Sequence, residues 1–315
     1  MADRGRVPAR IGAGDVARLE AETERLRGLD YRLGGGSCRD QVIVTAAWHD
    51  RWLRSAAGAR VRLRLRVALA DVHNLAGWTC FDTGREQDAA RHWERALALA
   101  VDAGHQDLVA NIHYRSGRLR LHGGRRREAL EDFRRGLVAA RRAGSYHAIA
   151  VLRANEAWAH AGMGDRGMAV IRLRQAHEDF ARSAGTPVPG WARFFDATDL
   201  SALTGLVHTE LARTADPGHT AIAIPALTAA ILGYPDDMVR SRALSLVALA
   251  ANHLVDRDFA HAAAVGGRAI AAAADVSSIR VADRLQPLRH LADRHRGDPH
   301  ARRLAARIAA FTPSL

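Results

Sequence analysis

The chain repeats itself at a fixed distance. Val72-His-Asn-Leu-Ala-Gly-Trp78, Ile112-His-Tyr-Arg-Ser-Gly-Arg118 and Leu152-Arg-Ala-Asn-Glu-Ala-Trp158 begin 40 residues apart, and Gly84, Gly124 and Gly164 follow in the same register. Downstream, Ala89, Ala129 and Ala169 correspond, then Trp93, Phe133 and Leu173, then Ala96, Gly136 and Ala176. A self-similar period of roughly 20–50 residues restricts a chain to stacked modules, because no single module can bury its own apolar face.

Within each unit, apolar residues recur every three or four positions on both sides of the central glycine, which is a helical period. Each unit therefore reads as a helical hairpin closed by a second glycine, Gly104, Gly144 or Gly185. Gly77, Gly117 and Ala157 on the first helix, with Ala89, Ala129 and Ala169 on the second, let the backbones approach. The bulky Trp93, Phe133 and Leu173 are expected to fill the space between adjacent hairpins.

Outside the repeats the pattern weakens but persists. The sequence predicts a helix over 14–30 capped by Asp15, a loop at Gly34-Gly35-Gly36, a helix over 39–55 and a third starting near 59. In the third, Val61, Leu65, Leu69 and Val72 share one face, while Arg60, Arg62, Arg64 and Arg66 spread over a solvated remainder. After Thr186-Pro-Val-Pro-Gly190, helices over 191–213 and 221–232 read as a degenerate fourth unit. Helices over 240–255 and 259–274 read as a fifth, with Tyr234-Pro-Asp-Asp237 capping its start. Helices over 277–294 and 299–311 are expected to cover the last apolar face, as solenoid ends require. No stretch reads as a β-strand.

The spacing of small residue, turn glycine, alanine and large apolar residue (Gly77, Gly84, Ala89, Trp93) resembles that of tetratricopeptide (TPR) repeats, although the period is 40 and the usual closing proline is absent. The expected fold is thus all-α: a right-handed TPR-like α-solenoid of antiparallel helix pairs with helical caps at both ends. Residues 1–58 form the N-terminal cap, 59–185 three repeats, 186–275 degenerate repeats and 276–315 the C-terminal caps.

Further stretches narrow the resemblance: Asp15-Val-Ala-Arg-Leu, Gly34-Gly-Gly, Leu75-Ala-Gly-Trp78, Arg240-Ser-Arg-Ala-Leu244 and Ser277-Ser-Ile-Arg280. From about residue 12 to 311 the chain is similar to the C-terminal TPR region of helix-turn-helix regulators in high-GC Gram-positive bacteria. That resemblance implies a place in transcriptional or biosynthetic-cluster regulation. Only eleven residues precede the match, too few for a DNA-reading domain, so operator binding through a helix-turn-helix is not expected.

TPR arrays line their concave side with the first helix of each pair, where an extended peptide or a protein terminus can be read. The usual groove positions fall on Asp71, Asn74 and Trp78, on Asn111, Tyr114, Arg115 and Arg118, and on Asn155 and Trp158. Arginine grips carboxylates with two bonds, asparagine pairs with a peptide backbone, and tryptophan offers a rigid anchor. The alternative roles are packing between repeats for the tryptophans and satisfaction of helix ends for the asparagines.

Charge adds one more clue. The net charge is +12, and all 46 basic residues are arginine. Residues 105–144 hold ten arginines against four acids, with Arg115 and Arg118 expected in the groove and Arg134, Arg141 and Arg142 on the convex side. Such a belt permits an acidic partner or a nucleic-acid backbone as the alternative reading. Two cysteines make no disulfide framework, and no apolar leader or stretch of about 20 apolar residues is present, which points to a cytoplasmic protein without membrane contact. Gly-x-Ser-x-Gly, paired carboxylates and Cys/His pairs at catalytic spacing are absent, as is His-x-x-x-His with a carboxylate. No cofactor, metal or catalytic residue is therefore expected. The sequence favours a regulatory or adaptor protein that holds a peptide, a protein segment or a small pathway ligand, and ranks an atypical enzyme on the same scaffold last.

Overall fold

The computed structural model describes residues 7–312. The N-terminal segment forms α1 (Ala13–Leu33) and α2 (Arg39–Asp50). Three regular hairpins follow: α3 (Ala59–Asp82) with α4 (Glu86–Asp102), α5 (Gln106–His122) with α6 (Arg126–Ala143), and α7 (Tyr146–Gly162) with α8 (Arg166–Arg182). Two less regular hairpins pair α9 (Ala197–Thr214) with α10 (Thr220–Gly233) and α11 (Val239–Val255) with α12 (Phe259–Ala274). The last helices are α13 (Ile279–Asp293) and α14 (Pro299–Ala309). Partners pack along their length and each hairpin packs on the next, which makes an all-α solenoid. Among the described residues there is no strand, only one isolated bridge between Arg10 and Ala56, and no helix is long and apolar enough to cross a membrane.

The 40-residue period is two 20-residue beats. Gly84, Gly104, Gly124, Gly144 and Gly164 all adopt left-handed backbone with φ between 66° and 77°. After each, the next amide reaches back five residues, as in Arg85 N to Cys80 O (2.8 Å) and Arg125 N to Arg120 O (2.9 Å), satisfying a carbonyl that the helix end leaves open. The side chains of His105, Ser145 and Asp165 then cap the following helices. In the fifth hairpin the same turn is made by Arg257 at φ 60°.

Packing inside the hairpins corrects one expectation. Trp93 lies in a notch of its own hairpin, not between hairpins: a Cβ on Gly77 would stand 2.5 Å from the indole, whose Nε1 donates to Asn74 O at 3.3 Å. Phe133 sits against Gly117 in the same way. The close crossing is needed where the helices of one pair meet, so the large residue fills that notch first.

Local differences have local causes. Asp15 is not the capping residue but the third residue of the first turn, where its carboxylate accepts from Gly12 N. Residues 51–54 tighten into a 3₁₀ turn, and α9 starts at Ala197 because Asp196, in extended backbone, accepts from Thr198 N and Asp199 N. Pro225 is carried inside α10, and Met238 precedes α11 without a side-chain cap.

The largest departure concerns the ends. α14 covers α12, with Leu304 against Gly266, as a cap should. α13 packs on α11 and α14, also as a cap should, but its outer side reaches the first two repeats, where Ile279 meets Gly84 and Asp283 meets His122 at 3.0 Å. α1 likewise packs on α11. The two ends of the solenoid meet, and the concave side expected from the sequence becomes a chamber with open mouths.

Candidate functional site

The closure is a buried charge cluster. Asp82 ends α3 and Asp30 lies near the end of α1; neither exposes any surface. Arg240 from α11 donates to both Asp30 oxygens at 2.9 and 3.0 Å and to Asp82 at 2.9 Å. Asp82 also accepts from Ser278 Oγ (2.8 Å), Gly35 N (2.8 Å) and Arg280 (3.3 Å). Burial alone would favour protonation of Asp82, but Arg240 and Arg280 outweigh it and hold the carboxyl below the usual carboxylate range. The glycine loop must come close: a Cβ on Gly34 would lie 2.6 Å from Ser277 O, and one on Gly35 2.8 Å from Asp82 Cβ.

Inside this ring lie two hollows of about 830 and 820 Å³, counting their open mouths, which share Arg118, Leu206, Leu244 and Arg280 at a common neck. Trp78 and Trp158 stand in their walls, and arginines crowd onto both rings. Arg280, Arg115 and Arg240 lie 4.6, 5.2 and 5.8 Å from the Trp78 centroid; Arg118 and Arg284 lie 4.8 and 5.2 Å from that of Trp158. A guanidinium gains from the face of an indole, yet a ring does not replace a carboxylate.

Charge balance is uneven. Arg240 is paired by two aspartates, and Arg27 by Asp71 at 2.7 Å. Among the described residues, Arg115 bonds only to Asn74 O (3.0 Å), Arg118 only to Asn155 Oδ1 (3.3 Å), and Arg284 makes no ion pair within 4 Å. Burial pushes Arg115 down to about 10, with Arg27 nearby adding to the effect; it pushes Arg280 down to about 9 despite Asp82, and lowers Arg284 as well. Asp199, the carboxylate of the second hollow, is driven up to about 8 by burial and by Asp196, with Tyr234 beside it, which weakens it as a counter-charge to the arginines at neutral pH. The chamber holds cations that the protein leaves short of anions.

The expected groove residues divide by role. Trp78, Tyr114, Arg115, Arg118 and Trp158 line the hollows. Asn74 and Asn111 bond to each other at 2.9 Å between α3 and α5, and Asn155 bonds to Val151 O. Asp71 is used by Arg27. None of these four lines the two hollows, and each already bonds within the inner wall or to α1. Arg134, Arg141 and Arg142 are exposed on α6, away from the chamber.

Sequence reasoning missed Arg284, Tyr31, Asp199 and Tyr234. It also gave no role to Arg240, Arg280 or the Gly34–Gly36 loop, although it had singled out their stretches. Those stretches, far apart in the chain, converge at the closure, and that convergence was their signal. Among the described residues no three His, Cys, Asp or Glu side chains form a group fit for a metal ion. No protein-family model matches the chain, and no curated protein matches it.

Proposed function

We propose that the protein is a TPR-like regulatory protein that captures an anionic ligand inside its closed ring, a small molecule or the carboxyl end of a peptide. The observation that carries this is the crowding of Arg115, Arg118, Arg280 and Arg284 on two tryptophans with a single ion pair, Arg280 to Asp82, among the four. Desolvated cations short of partners are costly in an empty protein and become favourable when an anion arrives, which is how a fold is biased toward binding. An extended peptide running along several repeats suits the site less, because α13 occupies the inner wall.

Regulation follows from placement. Arg118 belongs to the second repeat, while Arg280 and Arg284 belong to the closing helix α13. An anion bridging them ties the repeats to the seam and shifts the population toward the closed ring, changing the outer surface offered to a partner. Nucleic-acid binding through the outer arginines of α6 ranks below this, since those side chains sit on a solvated helix face.

Thermal unfolding in inorganic phosphate, against sodium chloride at matched ionic strength, tests the reading. Phosphate is expected to raise the melting temperature of the parent chain and to lose that effect in Arg118→Ala/Arg284→Ala. Equal melting in the two salts, or equal phosphate gains in parent and variant, would refute it.

A further inference from the structure

The first hollow is asymmetric in a way that the charge cluster alone does not explain. Its neck carries Arg118, Arg280 and Arg284, and its rim carries a hydrogen bond between His122 and Asp283 and an ion pair between Arg213 and the half-buried Glu210, whose charge also favours the cation of Arg284. Between them the wall is aliphatic, built by Leu206 from α9, Leu244, Val247 and Ala251 from α11, and Leu288 and Leu291 from α13. The one hydroxyl in that stretch, Thr209 Oγ1, already donates to Gly205 O and accepts from Asn252. The wall between α9, α11 and α13 thus presents apolar surface next to the buried guanidinium of Arg280 and the half-buried ones of Arg118 and Arg284.

The second hollow differs. Its walls carry Tyr31, Tyr114, Tyr234, Ser241 and Ser245 besides Asp199, and the Tyr31 hydroxyl is buried without a partner. That side can pair with polar substituents, although Trp78, Phe194, Phe195, Leu203 and Met238 line it as well.

We infer that the natural ligand is an anionic amphiphile: an acid headgroup, carboxylate or phosphate, held at the neck by Arg118, Arg280 and Arg284, with an aliphatic tail in the lobe between α9, α11 and α13. This rests on the reading proposed above and specifies its ligand. The tail makes the apolar wall part of the recognition, since each methylene taken from water adds to affinity while the arginines select for charge. It also explains why the wall is shared by three helices: a tail lying there joins the degenerate repeats to α13, as the headgroup joins α13 to the second repeat.

Isothermal titration of the full chain with hexanoate, octanoate, decanoate, decyl phosphate, decanol and inorganic phosphate tests the inference, each probe kept below its micelle concentration. Affinity is expected to rise with each added methylene, by up to about fourfold. Decanoate or decyl phosphate should outbind decanol, and whichever binds more tightly identifies the acid. Arg284→Ala should weaken the acids by roughly tenfold to a hundredfold and leave decanol unchanged. Because Arg284 makes no ion pair among the described residues, this variant is expected to melt no lower than the parent. Ala251→Phe should fill the lobe, abolishing the gain with tail length while keeping the response to inorganic phosphate. Decanol binding as well as decanoate, or acid binding indifferent to Arg284→Ala, would overturn the inference. Arginine-dependent phosphate binding without any effect of tail length would overturn it too, while leaving the anion chamber standing; loss of both would remove the chamber as well.

Discussion

The regular hairpins and the closing seam hold together by opposite means. In α3 to α8 the decisive contacts are short in sequence and apolar: Gly77 receives Trp93, Gly117 receives Phe133, and a glycine turn every 20 residues returns the chain. At the seam the contacts are charged, fully buried and distant, joining Arg240 to Asp30 and Asp82 and Ser278 to Asp82 across 210, 158 and 196 residues. Local apolar packing gives modules that are stable almost independently. A seam of buried charges is all-or-none, because removing one member strands the others. The molecule can therefore loosen where the chamber closes without losing its hairpins, which is what capture and release of an enclosed ligand require.

Asp82→Ala is the most damaging test of that contrast. It leaves Arg280 without its carboxylate and Arg240 with one aspartate instead of two, and should cost about 3–5 kcal/mol. Urea denaturation gives the total, and hydrogen exchange gives its location. Amides of α13 should lose protection while those of α6 and α7 keep theirs. Protection lost evenly over all helices would mean that seam and hairpins form one cooperative unit.

The same contrast explains what could be read in advance. Hairpins, turns and small-residue crossings were legible because their causes lie within one period of the chain, and fixed spacing reveals them. The seam was not, since nothing in the neighbourhood of Asp82 or Arg240 announces a partner more than 150 residues away. That also explains the divided fate of the groove residues. Trp78, Arg115, Arg118 and Trp158 line the hollows because concavity follows from the repeat, whereas Asn74 and Asn111 bond to each other across adjacent repeats and Asp71 pairs with Arg27 of α1, pairings that no spacing announces. Arg284 and Asp199 lie outside the three regular units, where no periodic position pointed to them.

A second test uses pH. The Asp199 carboxyl ionises near 4 in the unfolded chain and at about 8 in the folded one. Between those values the folded state keeps a proton that the unfolded state has released, so this group's contribution to stability falls as pH rises from about 4 to 8 and then levels off. Asp199→Asn keeps the shape and removes the titration. The variant should match the parent near pH 4 and exceed it at pH 8–9 by on the order of 1–3 kcal/mol, measured by urea unfolding across the range. Parallel pH profiles for parent and variant would show that Asp199 is ionised in the chamber and that its charge offsets one of the arginines.

The smallest effect asks whether the fifth hairpin still obeys the rule of the first three. Arg257 occupies the left-handed position that glycine fills at 84, 104, 124, 144 and 164, with φ 60°, and the amide after it makes the same return bond, Asp258 N to His253 O at 2.8 Å. A side chain in this conformation costs roughly 1–2 kcal/mol, while glycine loses roughly 0.5–1 kcal/mol through the freedom of its unfolded chain. The Arg257 side chain is exposed and makes no ion pair among the described residues, and it sits midway between the end of α11, which favours a cation, and the start of α12, which does not. The two dipole contributions therefore offset each other, and backbone strain decides. Arg257→Gly should stabilise the protein by about 0.5–1 kcal/mol, read as a higher urea midpoint at unchanged slope. Gly124→Arg should lose a similar amount, and failure of the two substitutions to mirror each other would separate the fifth turn from those of the regular repeats.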